Sequence, residues 1–168
     1  VTVFMKGLSY EVTTFRTESA YEDFRRPAVV AFVEDIRDDL RRRDFTVNAM
    51  AMDSGGRVID PFGGQDDLKR GVIRCVGSPD ERFREDALRM VRAVRFAAEL
   101  SFRIAPSTWR ALRRNAPLLR HIALERVGAE LDKMVRGADP DRAVALFIRS
   151  GLWRTTKSPL DAPGLSVC

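Results

Sequence analysis

The stretch Glu85-Asp-Ala-Leu-Arg-Met-Val-Arg-Ala-Val-Arg-Phe-Ala-Ala-Glu-Leu100 constrains the fold more than any other. It is charged at Glu85, Asp86, Arg89, Arg92, Arg95 and Glu99 and apolar at every other position. Charges recurring at three- and four-residue steps predict a helix, and the apolar remainder predicts one buried around most of its circumference. A carboxylate or guanidinium taken out of water is costly unless it finds a partner. Such a helix therefore implies either an internal ion-pair network or a bound polar ligand.

Asp86 and Arg89 are three residues apart and so share a face of that helix. Together they offer an acceptor beside a donor. Cytosine and adenine present an amino donor next to a ring-nitrogen acceptor, whereas guanine and uracil present a carbonyl next to an N–H, so the pair suits C or A. The plain alternative is an i,i+3 salt bridge that stabilises the helix. Arg92 and Arg95 continue the three-residue step, which turns about 60° backwards each time. Their arms fit either successive parts of one nucleotide, with phosphate as a bidentate target, or carboxylates such as Glu85 and Glu99.

Around this helix the chain reads as mixed, then all-α. Ser9 to Thr17 alternates and is rich in β-branched and aromatic residues, which predicts a strand. Residues 18–31 read as a loop, with Pro27 making its neighbour extended. Val33 to Ala51 is a charged helical stretch followed by an apolar one. Turns at Asp53 to Gly56 and Pro61 to Gly64 flank a short strand, Arg57 to Asp60. A short helix, Gln65 to Arg70, ends at Gly71, and Val72 to Val76 reads as another strand. Further helices are predicted at Pro79–Arg84, Glu85–Leu100, Pro106–Asn115, Leu124–Arg136 and Pro140–Ser150, three of them opened by proline in the first turn. The expected units are 1–77, 78–152 and a loose tail, 153–168.

A second polar cluster, Arg41-Arg42-Arg43-Asp44 followed by Phe-Thr-Val-Asn48, could bind a triphosphate and its ribose, and equally could be a solvated helix end. Glu11 lies in the first strand, where a carboxylate can serve as a metal ligand or base; a lone one is usually a surface residue. Histidine chemistry has almost no material, since His121 is the single histidine. Neither G-x-x-x-x-G-K-[ST] nor G-x-G-x-x-G occurs, so the Asp60-Pro-Phe-Gly-Gly64 turn reads as structural.

Charge narrows the partners. Residues 1–100 carry 17 Lys+Arg against 18 Asp+Glu, and residues 101–168 carry 12 against 6. A basic C-terminal part suits a polyanion such as RNA, or is a solvated helix face. The 25 arginines against 4 lysines fit an Arg-rich genome better than phosphate recognition as such. No apolar run approaches the roughly 20 residues that span a bilayer. Two distant cysteines, Cys75 and Cys168, and no signal-peptide pattern make a reducing cytoplasm the default.

Four segments, read in order, resemble one family. They are RRDFTVNAMAMD (Arg42–Asp53), GRVIDPFGG (Gly56–Gly64), IRCVGSPDERFREDALRMVRAVRFA (Ile73–Ala97) and ALERVGAELDKM (Ala123–Met134), with YEVTTFR (Tyr10–Arg16) ahead of them. The resemblance is to the class II CCA-adding tRNA nucleotidyltransferases and bacterial poly(A) polymerases, over about residues 9–152. It implies an α+β fold: a polymerase-β-like head, here partial, and an all-α neck and body. It also implies that Asp86 and Arg89 read the base, that Arg92 and Arg95 contact the nucleotide, and that Arg42, Arg43 and Asp44 bind its phosphates and ribose. Glu11 matches the third, catalytic carboxylate of the head. The implied partners are CTP, ATP and a tRNA 3′ end, and the implied cofactor is Mg2+. The family's glycine-rich loop and paired Asp-x-Asp are not found ahead of YEVTTFR, so the expectation is a fragment, inactive or nearly so alone. The rivals are a poly(A) polymerase fragment and a non-catalytic nucleotide- or RNA-binding remnant.

Overall fold

The computed structural model describes residues 1–22 and 26–156, with side-chain surroundings for all of these except 18–22 and 26–29. Eight strands form four two-stranded pairs. β1 (Thr2–Met5) and β2 (Leu8–Glu11) make one antiparallel hairpin, and β3 (Arg16–Glu22) pairs antiparallel with β4 (Arg26–Phe32). The sequence predicted one strand from Ser9 to Thr17 and a loop over 18–31. Instead β2 ends at Glu11, β3 begins at Arg16, and the Val-Val-Ala-Phe run of 29–32 in β4 supplies its partner, in keeping with the β preference of such residues.

α1 (Ile36–Arg41) starts at Asp35, whose carboxylate accepts the Arg37 N–H at 2.8 Å. A 3-10 turn, Thr46–Asn48, leads into β5 (Ala51–Met52), which pairs with β6 (Val58–Ile59). α2 (Gly64–Arg70) is capped by Asp60, which accepts the N–H groups of Gly64 and Gln65 at 2.7 and 2.9 Å. The Asp60-to-Gly64 turn is thus a helix start. Gly64 is required there, because a Cβ would fall 2.3 Å from the Thr46 carbonyl. α2 closes on Gly71, at φ +63°.

β7 (Val72–Ile73) pairs in parallel with β8 (Arg103–Ile104), a short strand the sequence did not announce. α3 (Pro79–Glu85) and α4 (Leu88–Glu99) are separate helices, not one continuing from Glu85. Asp86 stands between them with extended backbone (φ −144°, ψ 104°), and its carboxylate accepts the Leu88 N–H at 3.1 Å. A short polar side chain competing for backbone N–H groups stops one helix and starts the next. α5 (Pro106–Asn115) and α7 (Pro140–Ser150) span the residues expected, α6 (Leu124–Val135) is one residue shorter, and a 3-10 segment, Ala116–His121, fills the gap after α5. Another 3-10 turn, Leu152–Arg154, begins what the sequence read as tail, with Leu152 and Thr156 buried; residues 157–168 lie outside the described set.

α4 is the centre of the core. Met90, Val91, Ala93, Val94 and Ala97 are fully buried and pack with Phe83, Leu112, Leu119, Val127 and Phe147 from the surrounding helices. A smaller cluster of Leu40, Ala49 and Val76 joins α1 to the strands near it. Every residue of β1 and β2 is exposed. No helix among the described residues is long and apolar enough to cross a membrane.

Candidate nucleotide-binding cleft

Where α1 gives way to the Thr46–Asn48 turn, four residues face the α3–α4 junction across an open cleft of about 610 Å3. Arg42, Arg43, Asp44 and Asn48 line one side, and Asp86, Leu88, Arg89, Arg92 and Phe96 line the other. Arg126, from the first turn of α6, completes it. Five arginines against two aspartates leave the lining with a formal charge of +3, which favours a polyphosphate ligand.

Asp44 is the hinge of the first side. Its carboxylate accepts the Phe45 N–H at 2.9 Å, the Asn48 amide at 3.2 Å and Arg92 Nε at 2.7 Å. One buried carboxylate therefore fixes the turn and ties it to α4. Arg42 reaches back to Asp39 at 2.7 Å and Arg43 lies 3.5 Å from the same carboxylate. Burial acts to raise the pKa of Asp39, but hydrogen bonds from Arg42 and the Arg16 N–H, with the charges of Arg42 and Arg43, outweigh it and hold the group below the usual range.

Across the cleft, Arg89 is locked in place. It donates to Glu85 at 2.6 Å, to the Arg82 carbonyl at 3.3 Å and to the Arg42 carbonyl at 2.8 Å, so α4 grips the end of α1. Glu85 also pairs with Arg82. Asp86 is bound at both oxygens by Arg126, at 3.4 and 2.9 Å, and not by Arg89. The expectation that Asp86 and Arg89 share a face of one helix is thus corrected, and the alternative of a salt bridge between them is not met: the helix breaks at Asp86, and the two side chains reach the same cleft from either side of the break. Arg126 was not singled out from the sequence. A signal existed: a cation in the first turn of a helix opposes the dipole and calls for a nearby anion.

Six of the expected residues therefore meet, namely Arg42, Arg43, Asp44, Asp86, Arg89 and Arg92. Arg95 does not line this cleft. Its guanidinium is nearly buried between Glu130 (2.7 Å) and Glu99 (2.6 Å) and lies 4.0 Å over the Phe96 ring, the carboxylate-pairing alternative. Glu11 is exposed at the end of β2, away from the cleft lining. No group of three or more His, Cys, Asp or Glu side chains among the described residues is placed to hold a metal ion. Cys75, the buried cysteine, has its thiol pushed up to about 12 by burial, which makes it a poor nucleophile.

Residues 1–74 match the family described as the poly(A) polymerase head domain, and residues 101–158 match that described as the probable RNA- and SrmB-binding site of polymerase A. A CCA-adding enzyme of Geobacillus stearothermophilus is 54% identical over 152 residues, covering 90% of this chain. The chain belongs to the class II CCA-adding and poly(A) polymerase family. Within that family it spans 38% of the length of the Geobacillus relative. A CCA-adding enzyme of Ligilactobacillus salivarius is 49% identical over 92% of this chain and 38% of its own length. Among solved structures, the Bacillus stearothermophilus CCA-adding enzyme in complex with CTP superposes with a TM-score of 0.84 at 48% identity, over 95% of this chain and 38% of that one. The Thermotoga maritima CCA-adding enzyme complexed with tRNA does so at 0.67 and 34%, over 71% and 30%. The α+β class expected from the sequence is that of this family.

Proposed function

We propose that this chain is the base-selecting and RNA-contacting part of a nucleotidyltransferase that adds C and A from CTP and ATP to the 3′ end of tRNA. The observation that carries the reading is the positively charged cleft into which Asp86 and Arg89 both open. Asp86 accepts the exocyclic amino group of cytosine or adenine, and Arg89, its guanidinium fixed by Glu85 and two carbonyls, donates to the ring nitrogen beside it. Arg43 and Arg92 stand where they can hold phosphate oxygens, and Arg42 and Asp44 set the shape of that wall. The division into a head part, 1–77, and a helical neck, 78–152, belongs to the same proposal, as does a cytoplasmic setting.

The Mg2+ that the family resemblance implies does not fit the carboxylates at hand. Asp44 and Asp86 each hold an arginine, and Glu11 does not line the cleft. The chain by itself is expected to bind nucleotide without transferring it, and Glu11 is proposed as a carboxylate that acts only with others. Relatives that bear the name CCA-adding enzyme support tRNA end addition over poly(A) synthesis. The test is competition binding of CTP, ATP, GTP and UTP to the chain and to Asp86→Ala. The chain is expected to prefer C and A, with the preference falling about tenfold or more in the variant, as for a lost bidentate base contact. An unchanged preference contradicts the assignment.

A further inference from the structure

The backbone N–H and C=O of Arg16, at the start of β3, are turned away from β4, because the ladder bond beside them runs from the Val33 N–H to the Phe15 carbonyl at 3.1 Å. In a wider sheet another strand would meet them. Here two side chains from the end of α1 do so. Asp39 accepts the Arg16 N–H at 3.3 Å, and Arg42 donates from Nε to the Arg16 carbonyl at 3.1 Å. Arg42 is also joined to one Asp39 oxygen, from Nε at 3.0 Å and Nη2 at 2.7 Å, while the other oxygen lies 3.5 Å from Arg43. Asp39 is only 6% exposed, and a carboxylate so deep is tolerated because these donors satisfy it.

The end of α1 is held from the opposite side as well. The last carbonyls of a helix have no partner within it, and those of Arg41 and Arg42 accept Arg82 Nη1 at 3.0 Å and Arg89 Nη2 at 2.8 Å. Glu85 ties these two guanidinium groups together, accepting Arg89 Nη1 at 2.6 Å and pairing with Arg82. Arg42 is thus fastened to β3 by its side chain and to the base-reading Arg89 by its carbonyl. Any shift of the α1 end moves the oxygen against which Arg89 is aligned.

We propose that Asp39 is a positioning residue for base selection: by clamping Arg42 onto the edge of β3 it fixes the end of α1, and through it the Arg89 guanidinium, without touching the nucleotide. It also engages the charge of Arg42, leaving the triphosphate to Arg43 and Arg92. The inference rests on the base-reading function proposed above and deepens it. Arg42, a nucleotide ligand by family resemblance, becomes part of a brace behind the cleft.

The experiment measures competition binding of CTP, UTP and inorganic tripolyphosphate to the full chain, to Asp39→Asn, to Arg42→Gln and to the double variant. Asp39→Asn is expected to narrow the preference for CTP over UTP about threefold or more, the scale on which residues along a contact chain alter binding they do not touch. Tripolyphosphate is expected to bind as well or up to about fivefold more tightly, because a negative charge beside Arg42 and Arg43 is gone. Arg42→Gln is expected to narrow the preference to the same extent, and the double variant no further than either single one, since all three break the same brace. A general loosening of the fold would weaken CTP, UTP and tripolyphosphate alike and leave their ratios in place. That result, or a preference in Asp39→Asn equal to that of the unmodified chain, overturns the inference, as do losses that add up in the double variant. If Asp39→Asn does not fold, Arg42→Gln decides alone, its side chain being partly exposed, and an unchanged ratio there overturns the inference. If the unmodified chain shows no preference for CTP over UTP, the base-reading function itself fails and the inference with it.

Discussion

Arg126 carries the clearest expectation at the scale of single residues. It holds both oxygens of Asp86 from a helix 40 residues further along the chain, while the Leu88 N–H steadies the same carboxylate. An acceptor fixed in this way presents its remaining lone pairs to a base in one orientation. Arg126→Met is therefore expected to narrow the gap between CTP and UTP affinity about tenfold, with Arg126→Lys falling between the two. A general loss of structure would lower all four nucleotides together, so the ratio is the quantity to measure. Asp86, Arg89 and the Arg42-Arg43-Asp44 cluster were legible in the sequence because buried charge beside apolar residues demands a partner. Their pairing was not legible. Helical spacing put Asp86 against Arg89, but the aspartate's own competition for backbone N–H groups ended the helix, and the true partner lay on a distant element. For Arg95 the spacing left nucleotide and carboxylate open and the family resemblance pointed to the nucleotide, whereas its step around the helix delivers it to Glu130 and Glu99.

Between elements, the Arg95–Glu130 contact joins α4 to α6 in the interior, with Lys133 adding a second bond to Glu130 at 2.9 Å. Burial works to raise the pKa of Glu130, but hydrogen bonds from Lys133 and Arg95 and their charges prevail, so the folded value lies below the ordinary 4.5. A depressed carboxylate contributes stability that is present above its unfolded value and lost as pH falls through the folded one. Urea unfolding followed downward from neutral pH is expected to show the loss beginning near pH 4.5, with Asp39, depressed in the same way, adding to it. Glu130→Gln, which leaves the buried Arg95 with Glu99 alone, is expected to cost about 3 kcal/mol at neutral pH and to flatten that acid slope. Helix starts were legible at Pro79, Pro106 and Pro140 because proline suits the first turn and little else in a helix. β8 is two residues long and pairs across the whole of α4, and nothing local encodes so distant a partner.

For the molecule as a whole, packing is uneven. The helices around α4 share one continuous core, while the β1–β2 hairpin is exposed along its length, with Phe4 80% accessible. Amide hydrogen exchange is expected to show the backbone of 1–16 opening far more readily than that of α4, because few buried contacts resist its opening. Among the described residues, Arg89 and Arg95 of α4 are held by carboxylates, while Arg113, Arg149 and Arg154 stand open to solvent. The central claim concerns the cleft between the two parts. A crystal structure of the chain with CTP tests it most directly. The cytosine N4 amino group is expected within about 3 Å of an Asp86 carboxylate oxygen, with the triphosphate against Arg43 and Arg92. A cytosine bound with its amino edge turned away from Asp86, or CTP lodged outside the cleft, would contradict it.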